Sequence, residues 1–226
     1  MNIRFQRYCA LPEGRYVEAC SRFGILFLAI LLSGSCQEAE PPKAAAKMAG
    51  PLNAIIETDH GRCVIELAQE AAPRLSANFA NLVEKKFFDG LAFYRSSTVM
   101  RQAGNPYASA ERHYNPGYRL LPEFSPALTF NDPGVVAMPL LRDDNMSDVR
   151  QTEFFITVKP QDRWTFKFPI FARVVDGLDV VRALQDGDII HSIRLQGDPT
   201  ALMQRNAQHI DTWNRAMDAN PAPRVP

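Results

Sequence analysis

The chain has 226 residues, of which 46% are hydrophobic and 22% charged, a composition typical of a globular protein with one core of ordinary size. Its 25 lysines and arginines balance 25 aspartates and glutamates, so the formal net charge is zero at neutral pH. This balance excludes a strong global field as the basis for binding nucleic acid or an anionic membrane surface.

The first predicted element is an apolar segment, residues 23–32 ("FGILFLAILL"). It is shorter than the roughly 20 residues that a membrane-spanning helix needs, but it suits the apolar part of a secretory signal. The following "SGSC" resembles a bacterial lipobox ending in Cys36, so we predict a signal peptide over residues 1–36 and lipidation of Cys36. The expected location is the cell envelope, with the periplasmic side of the outer membrane favoured. An ordinary cleaved signal, which would leave a periplasmic protein, and a retained short anchor are the alternatives.

Residues 37–53 are rich in alanine and proline, which favours a tether between the anchor and a domain. The domain is expected over residues 54–195. "AIIET" and "RCVIEL" surround a turn signal and predict a hairpin in which Cys63 is a buried, inert thiol. Pro73 then opens a predicted amphipathic helix that runs up to the Asp89-Gly90 turn.

From residue 91 to 195 most apolar runs are short and bounded by glycine, proline or aspartate. Such runs predict a closed or sandwiched antiparallel sheet, interrupted by one helix in "GLDVVRALQDG". Residues 196–226 are predicted to be a C-terminal helix and tail, because Leu202, Ile210 and Trp213 fall near one helical face. We expect that face to pack on its own domain, with a partner-binding helix as the alternative.

The chemistry-bearing residues are few. The four histidines lack ligand spacing, and "RDDNMSD" lacks the glycine and glutamate of a calcium loop, so no metal and no cofactor is predicted. Strand alternation places Leu91, Phe93 and Arg95 on one face. A guanidinium at the end of an apolar face needs an ion-pair or hydrogen-bond partner, or else a functional role, because removing its charge from water is costly.

The motifs around Arg95 follow one another in this order: Asn78-Phe79, the "FDG" and "FYR" that lead to Arg95, Gln102 shortly after it, Phe154-Phe155, and "FARVVDGLDVV". This order resembles the cyclophilin family of peptidyl-prolyl isomerases over roughly residues 54–195. It implies a mainly β fold, a closed eight-stranded antiparallel barrel capped by two helices. The C-terminal helical extension is added to this fold.

The resemblance also implies a reaction that needs no acid, base, metal or cofactor. Arg95 is the implied catalytic arginine, which stabilises the twisted amide of an X-Pro bond, and Gln102 is expected to hydrogen-bond the substrate backbone or to orient Arg95. The implied substrate-binding pocket has Met100 and Phe155 as its floor, and Trp164 and Phe168 as aromatic walls. Expected partners are proline-containing segments of exported proteins, bound by a monomer.

Val99, Pro139 and Glu153 are also expected to bind substrate, although all three depart from the family pattern. Val99 replaces a phenylalanine, Pro139 an alanine and Glu153 a glutamine, and the segment between Arg95 and Gln102 is one residue shorter. A carboxylate at Glu153 could pair with Arg95, which would give a catalytically weak or inactive peptide-binding or chaperone module. A structural lipoprotein with no peptide site is the third alternative.

Overall fold

A computed structural model of the chain describes residues 50–141 and 148–223. The predictions for the signal peptide, for Cys36, for residues 37–49 of the tether and for the loop 142–147 lie outside these residues.

The predicted hairpin is confirmed. Strands β1 (Asn53–Thr58) and β2 (Gly61–Leu67) pair antiparallel around a turn in which Gly61 has a φ of 112°. Glycine suits this turn because a side chain rarely tolerates positive φ. Cys63 is fully buried on β2, and burial raises the pKa of its thiol to about 12, so the thiol stays protonated and unreactive at neutral pH.

Eight strands form one antiparallel sheet with the order β3-β4-β6-β5-β7-β2-β1-β8. The further strands are β3 (Arg95–Ser96), β4 (Met100–Ala103), β5 (Val135–Ala137), β6 (Phe154–Thr157), β7 (Ile170–Asp176) and β8 (Ile190–Gln196). The predicted mainly β architecture with eight antiparallel strands is therefore confirmed.

The sheet is an open, curled half-barrel, so the predicted closed barrel is not confirmed. Its two end strands, β3 and β8, are not paired with each other along their length. Next to them, Ala92 and Ile189 form one isolated bridge, and the Phe93 N–H donates to the Asp188 carbonyl at 2.8 Å. Strand β3 is only two residues long, which is too short for a regular ladder to β8.

Two helices accompany the sheet, as predicted: α1 (Pro73–Glu84) and α2 (Leu178–Ala183). Proline opens α1, where its missing N–H has no intrahelical partner to lose. None of the helices within the described residues is long and apolar enough to cross a membrane.

The predicted single C-terminal helix is in fact two helices, α3 (Thr200–Arg205) and α4 (Ala207–Ala219). Asn206 interrupts them, and its buried side-chain amide donates to the Leu202 carbonyl at 2.9 Å. Such a local bond to the backbone competes with a continuous helix. The pair packs on α1, with an Asn81–Asn214 side-chain hydrogen bond of 2.9 Å, so the apolar face is buried within the domain as expected.

The sheet separates two apolar clusters. The main core lies on its inner face with α1 and contains Phe79, Phe93, Phe154 and Phe171. We call the second the outer cluster; its buried members are Met100, Phe130, Val135, Ala137, Phe155 and Ile170. Because successive side chains of a strand point to opposite faces, Phe154 lies in the main core and Phe155 in the outer cluster.

The packing of α4 predicts that Trp213→Ala destabilises the whole domain. Trp213 is 3% exposed, and its ring lies 5.8 Å from the Tyr118 ring. Truncating a buried tryptophan typically costs about 3–5 kcal/mol in the free energy of unfolding. Urea unfolding followed by circular dichroism measures the loss, with the exposed Arg215→Ala on the same helix as the control. Equal midpoints for the two variants would mean that α4 folds independently of the sheet.

Candidate active site

The register of the strands places four side chains in one row across the sheet. Arg95 on β3 lies opposite Gln102 on β4, Gln102 lies opposite Phe155 on β6, and Phe155 lies opposite Ala137 on β5. Directly opposed residues in antiparallel strands point to the same face of the sheet. The row therefore places the arginine and the glutamine beside the outer cluster.

A pocket of about 340 Å³ opens along this row, within the roughly 300–1,000 Å³ of small-ligand sites. Its lining residues are Tyr94, Arg95, Met100, Gln102, Ala110, His113, Pro139, Leu140, Arg150, Phe155, Trp164 and Phe168. Seven of them are residues that the sequence predicts for the site. Among the described residues, no group of three or more histidine, cysteine, aspartate or glutamate side chains is placed to hold a metal ion.

Aromatic rings form the floor and one wall of the pocket. The Phe155 ring meets Trp164 at 5.7 Å and Phe168 at 5.4 Å, both edge to face, and it stacks on Phe130 at 6.2 Å. These are favourable geometries for aromatic pairs. Trp164 ends a short 3₁₀ helix, Asp162–Trp164, and its carbonyl accepts the Phe168 N–H at 3.1 Å, which fixes both rings in one turn of chain. The result is a firm apolar surface.

Arg95 is exposed at the rim of this pocket, and the prediction that it shares a face with Leu91 and Phe93 is wrong. Both of those residues are buried in the main core. Regular strand structure begins only at Arg95, so alternation does not carry through from Phe93, and the consecutive residues Tyr94 and Arg95 both line the pocket. Arg95 makes no side-chain hydrogen bond or ion pair with any other residue of ranges 50–141 and 148–223.

Glu153 lies under the pocket and is 1% exposed. Its Oε2 accepts hydrogen bonds from the Tyr94 hydroxyl at 2.6 Å and from the Gln102 amide at 3.2 Å. Its Oε1 lies 2.7 Å from Nδ1 of His113. The predicted pairing of Glu153 with Arg95 is therefore wrong, because the carboxylate is occupied by three other side chains.

Tyr94 and Gln102 complete this buried network. Burial, followed by the charge and hydrogen bond of Glu153, raises the pKa of Tyr94 far above its usual range, so the phenol stays protonated and keeps donating. The Gln102 amide also donates to the Tyr94 hydroxyl oxygen. Gln102 thus uses its N–H groups within the network and makes no bond to Arg95 among the described residues. Val99 and Glu153, both predicted as substrate-binding, are not among the residues that line the pocket; Val99 packs against the outer cluster.

One wall of the pocket comes from the segment 104–113, which contributes Ala110 and His113. Gly104 starts it with a φ of 93°, and an added Cβ would lie 2.1 Å from the Thr152 carbonyl oxygen. Asn105 is fully buried and donates to the carbonyls of Ser109 and Arg112, both at 2.7 Å. This side chain holds the loop in place without regular secondary structure.

Sequence reasoning missed five lining residues: Tyr94, Ala110, His113, Leu140 and Arg150. Tyr94 is part of the "FYR" motif, and its place beside Arg95 was the available signal. His113 carried no signal, because its partner Glu153 is 40 residues away in the sequence. Arg150 and Leu140 lie on either side of residues 142–147, and an isolated bridge between Leu140 and Val149 brings their two segments together.

The curled sheet thus carries a pocket with an aromatic surface and an exposed arginine at its rim. The family model described as "Cyclophilin type peptidyl-prolyl cis-trans isomerase/CLD" matches residues 54–202. This chain belongs to that family.

Relatives of the chain carry the corresponding name. Peptidyl-prolyl cis-trans isomerase B of Bacillus subtilis is 29% identical over 140 residues, which cover 62% of this chain and 94% of that protein. Peptidyl-prolyl cis-trans isomerase 10 of Caenorhabditis elegans is 27% identical, and the match covers 75% of this chain and all of that protein. These homologues support peptidyl-prolyl cis-trans isomerase activity in this chain.

A solved structure supports the fold. The crystal structure of a Cryptosporidium parvum cyclophilin type peptidyl-prolyl cis-trans isomerase superposes with a TM-score of 0.60 at 19% identity, covering 66% of this chain and all of that one. At this identity the match concerns the fold alone.

The position of Gly104 predicts that Gly104→Ala destabilises the domain more than Gly90→Ala. Both glycines have positive φ, 93° and 83°, but a Cβ at Gly90 meets nothing within 4 Å. Both variants lose roughly 1–2 kcal/mol to backbone strain, and G104A adds about 1–3 kcal/mol of overpacking against Thr152. Thermal and urea unfolding compare the two. Equal losses would show that the loop does not depend on the close approach at Gly104.

Proposed function

We propose that this protein isomerises X-Pro bonds of exported polypeptides, with Arg95 stabilising the twisted amide in the transition state. The observation that carries the proposal is the position of Arg95. Its guanidinium is exposed at the rim of an apolar, aromatic pocket, opposite Gln102 and beside Phe155, with no carboxylate of the described residues pairing with it.

The chemistry requires little more than this arrangement. The barrier of about 18–20 kcal/mol to rotation comes from amide resonance. Twisting the bond returns a lone pair to the proline nitrogen, so a donor aimed at that nitrogen stabilises the twisted state more than either planar isomer. The pocket floored by Phe155 and Met100 takes the apolar proline ring. A dry environment disfavours the charge-separated planar amide and adds to the effect.

Gln102 contributes by binding the substrate backbone rather than by holding Arg95. Its N–H groups already donate to Tyr94 and Glu153. The side-chain carbonyl oxygen is then the atom that accepts a substrate N–H. This role follows from the network and from the place of Gln102 in the pocket lining.

The alternative, a peptide-binding module in which Glu153 withholds Arg95 from the substrate, loses support from this contact pattern. Glu153 contacts Tyr94, Gln102 and His113 instead. The departures at Val99 and in the segment between Arg95 and Gln102 still favour it. The third alternative, a structural lipoprotein with no peptide site, does not account for a pocket of about 340 Å³ beside Arg95.

The proposed mechanism predicts that Arg95→Ala lowers kcat/KM for an X-Pro peptide by about 10²–10³-fold, the usual effect of removing one transition-state donor. Arg95→Lys is expected to recover part of the loss, since it keeps a charge but not the planar fork. Exchange NMR on a blocked Ala-Ala-Pro-Phe peptide measures turnover directly. Arg62→Ala, at an exposed position on β2 away from the pocket, is the control.

Peptide affinity separates the remaining outcomes. Trp164 lines the pocket, and Trp213 is the second of two tryptophans, so a Trp213→Phe background makes fluorescence specific for the site. Lost turnover with retained binding in R95A supports the proposed role. Turnover that survives in R95A refutes it, and binding without turnover in the unmodified protein leaves only a peptide-binding function.

We further propose that residues 1–36 direct export, that Cys36 carries a lipid, that residues 37–53 tether the domain, and that the protein acts as a monomer on exported proteins. This rests on the apolar segment and the "SGSC" that follows it. Cys36→Ser in the full chain is expected to abolish labelling by a fatty-acid analogue and membrane fractionation in a bacterial host. Persistent membrane association of C36S would indicate a retained anchor, and solubility of the unmodified protein would indicate a cleaved signal.

A further inference from the structure

Arg101 is an arginine that the proposed mechanism leaves unused, and it is buried. It lies on β4 between Met100 and Gln102, two residues of the pocket lining, and its exposed fraction is 8%. Because successive side chains of a strand alternate, Arg101 points to the opposite face of the sheet from both neighbours. It is not among the residues that line the pocket, so it is not placed to touch a peptide bound beside Arg95.

The guanidinium of Arg101 is held by main-chain oxygen atoms instead of a carboxylate. Nη1 donates to the carbonyls of Ser97 and Met100 at 2.5 and 3.1 Å, and Nη2 donates to the carbonyl of Arg182 at 2.6 Å. Among the described residues, Arg101 forms no ion pair, and its buried Nε has no acceptor. Burying a cation in this way is costly, so the three carbonyl contacts call for an explanation.

These contacts connect two elements that are far apart in the sequence. Ser97 and Met100 border the turn of the β3–β4 hairpin (residues 95–103), and Arg182 lies in the last turn of α2. The Ser97 N–H donates to the Met100 carbonyl at 2.9 Å across this turn. Arg101 thus connects the turn of the hairpin to the C-terminal end of α2. The hairpin contains the segment that is one residue shorter than the family pattern.

The two strands of the hairpin differ in how they are held. β4 pairs with β6 over residues 100–103, and the Val99 carbonyl accepts the Val158 N–H at 2.9 Å. β3 is an end strand of the sheet and pairs with β4 at two residues, Arg95 and Ser96. β4 is therefore supported from its other side, whereas β3 depends on β4 and on the turn.

Arg95 lies between two sets of contacts that hold this end strand. Before it, the Tyr94 N–H donates to a carbonyl of β4 at 3.0 Å. After it, the Ser96 N–H donates to the carboxylate of Asp186, which is exposed, and Arg101 holds the turn. Because water competes for the exposed carboxylate, the buried guanidinium is the stronger of the two contacts after Arg95.

We propose that Arg101 is a positioning residue, which holds Arg95 in place by connecting the end strand β3 to helix α2. This inference rests on the proposed function and deepens it. Without the guanidinium, the carbonyls of the turn and of α2 lose their common donor, and the segment after Arg95 moves more freely. The apolar floor and wall do not change, because Phe155 and Trp164 are held by ring packing and by the pairing of β6. The loss therefore falls on kcat and spares KM.

The first test compares Arg101→Met with Arg182→Met. Methionine keeps an apolar stem but removes every donor, whereas the Arg182 side chain is exposed and only its carbonyl takes part in the contact. In exchange NMR on the blocked Ala-Ala-Pro-Phe peptide, R101M is expected to lose about tenfold in kcat with KM within about twofold, since a small displacement of a catalytic group is costly. R182M should match the unmodified protein. A rise in KM at unchanged kcat, or no change in either, would overturn the proposal.

A double-variant cycle shows whether Arg101 acts through Arg95. Once the catalytic group is gone, a positioning residue has nothing left to hold, so R95A/R101M should turn over the peptide at the rate of R95A. Arg101→Lys keeps the charge but presents a single donor group, so its kcat is expected between those of R101M and the unmodified protein. A further tenfold loss in the double variant would mean that Arg101 acts on another part of the site, and the inference would be wrong.

Hydrogen exchange followed by mass spectrometry tests the contact without turnover. In R101M, amides of residues 95–99 are expected to exchange about tenfold faster than in the unmodified protein, while those of β6 keep their protection. Equal protection of residues 95–99 in both proteins would overturn the proposal. If R101M does not fold, R101K provides the same comparisons with a smaller expected loss, about threefold in kcat. Failure of the proposed function looks different: the unmodified protein has no turnover, and the exchange comparison still decides whether Arg101 holds the hairpin.

Discussion

The structure depends on the two-sidedness of strand β6. Phe154 enters the main core against Phe79, and Phe155 enters the outer cluster beneath the pocket. A strand offers this division at no cost, because alternate side chains point to opposite faces. A slip of β6 by one residue would exchange the two rings and remove Phe155 from its place opposite Gln102. Folding of the domain and assembly of the site are therefore one event.

The buried carboxylate of Glu153 is the second constraint. It lies where the family pattern has a glutamine, and a lone charge at that depth would be strongly destabilising. Tyr94 and Gln102 donate hydrogen bonds to this carboxylate, and Nδ1 of His113 lies 2.7 Å from its other oxygen. This network leaves Arg95 outside it. Considered alone, Glu153 in place of the glutamine would suggest an inactive site. Residues from three separate segments of the chain accommodate it.

The two sides of the pocket are held in place by different kinds of contact. Phe155, Trp164 and Phe168 support one another ring to ring, and a short turn fixes the last two. The opposite wall, residues 104–113, has no strand or helix and depends on a glycine contact, on Asn105 and on His113. Ring packing therefore holds the apolar side, and a few individual contacts hold the other.

The sequence by itself determined the hairpin, helix α1, the antiparallel strands and most of the pocket. These features depend on local patterns, such as alternation, proline at a helix start and the motifs around Arg95, Gln102 and Phe155. It did not determine that Arg95 leaves the face of Leu91 and Phe93, since the irregular backbone before β3 is set by its contacts with residues 187–190. Nor did it determine the partner of Glu153 or the place of His113. Those contacts join residues 40 or more positions apart, and only the tertiary structure brings their atoms within hydrogen-bonding distance.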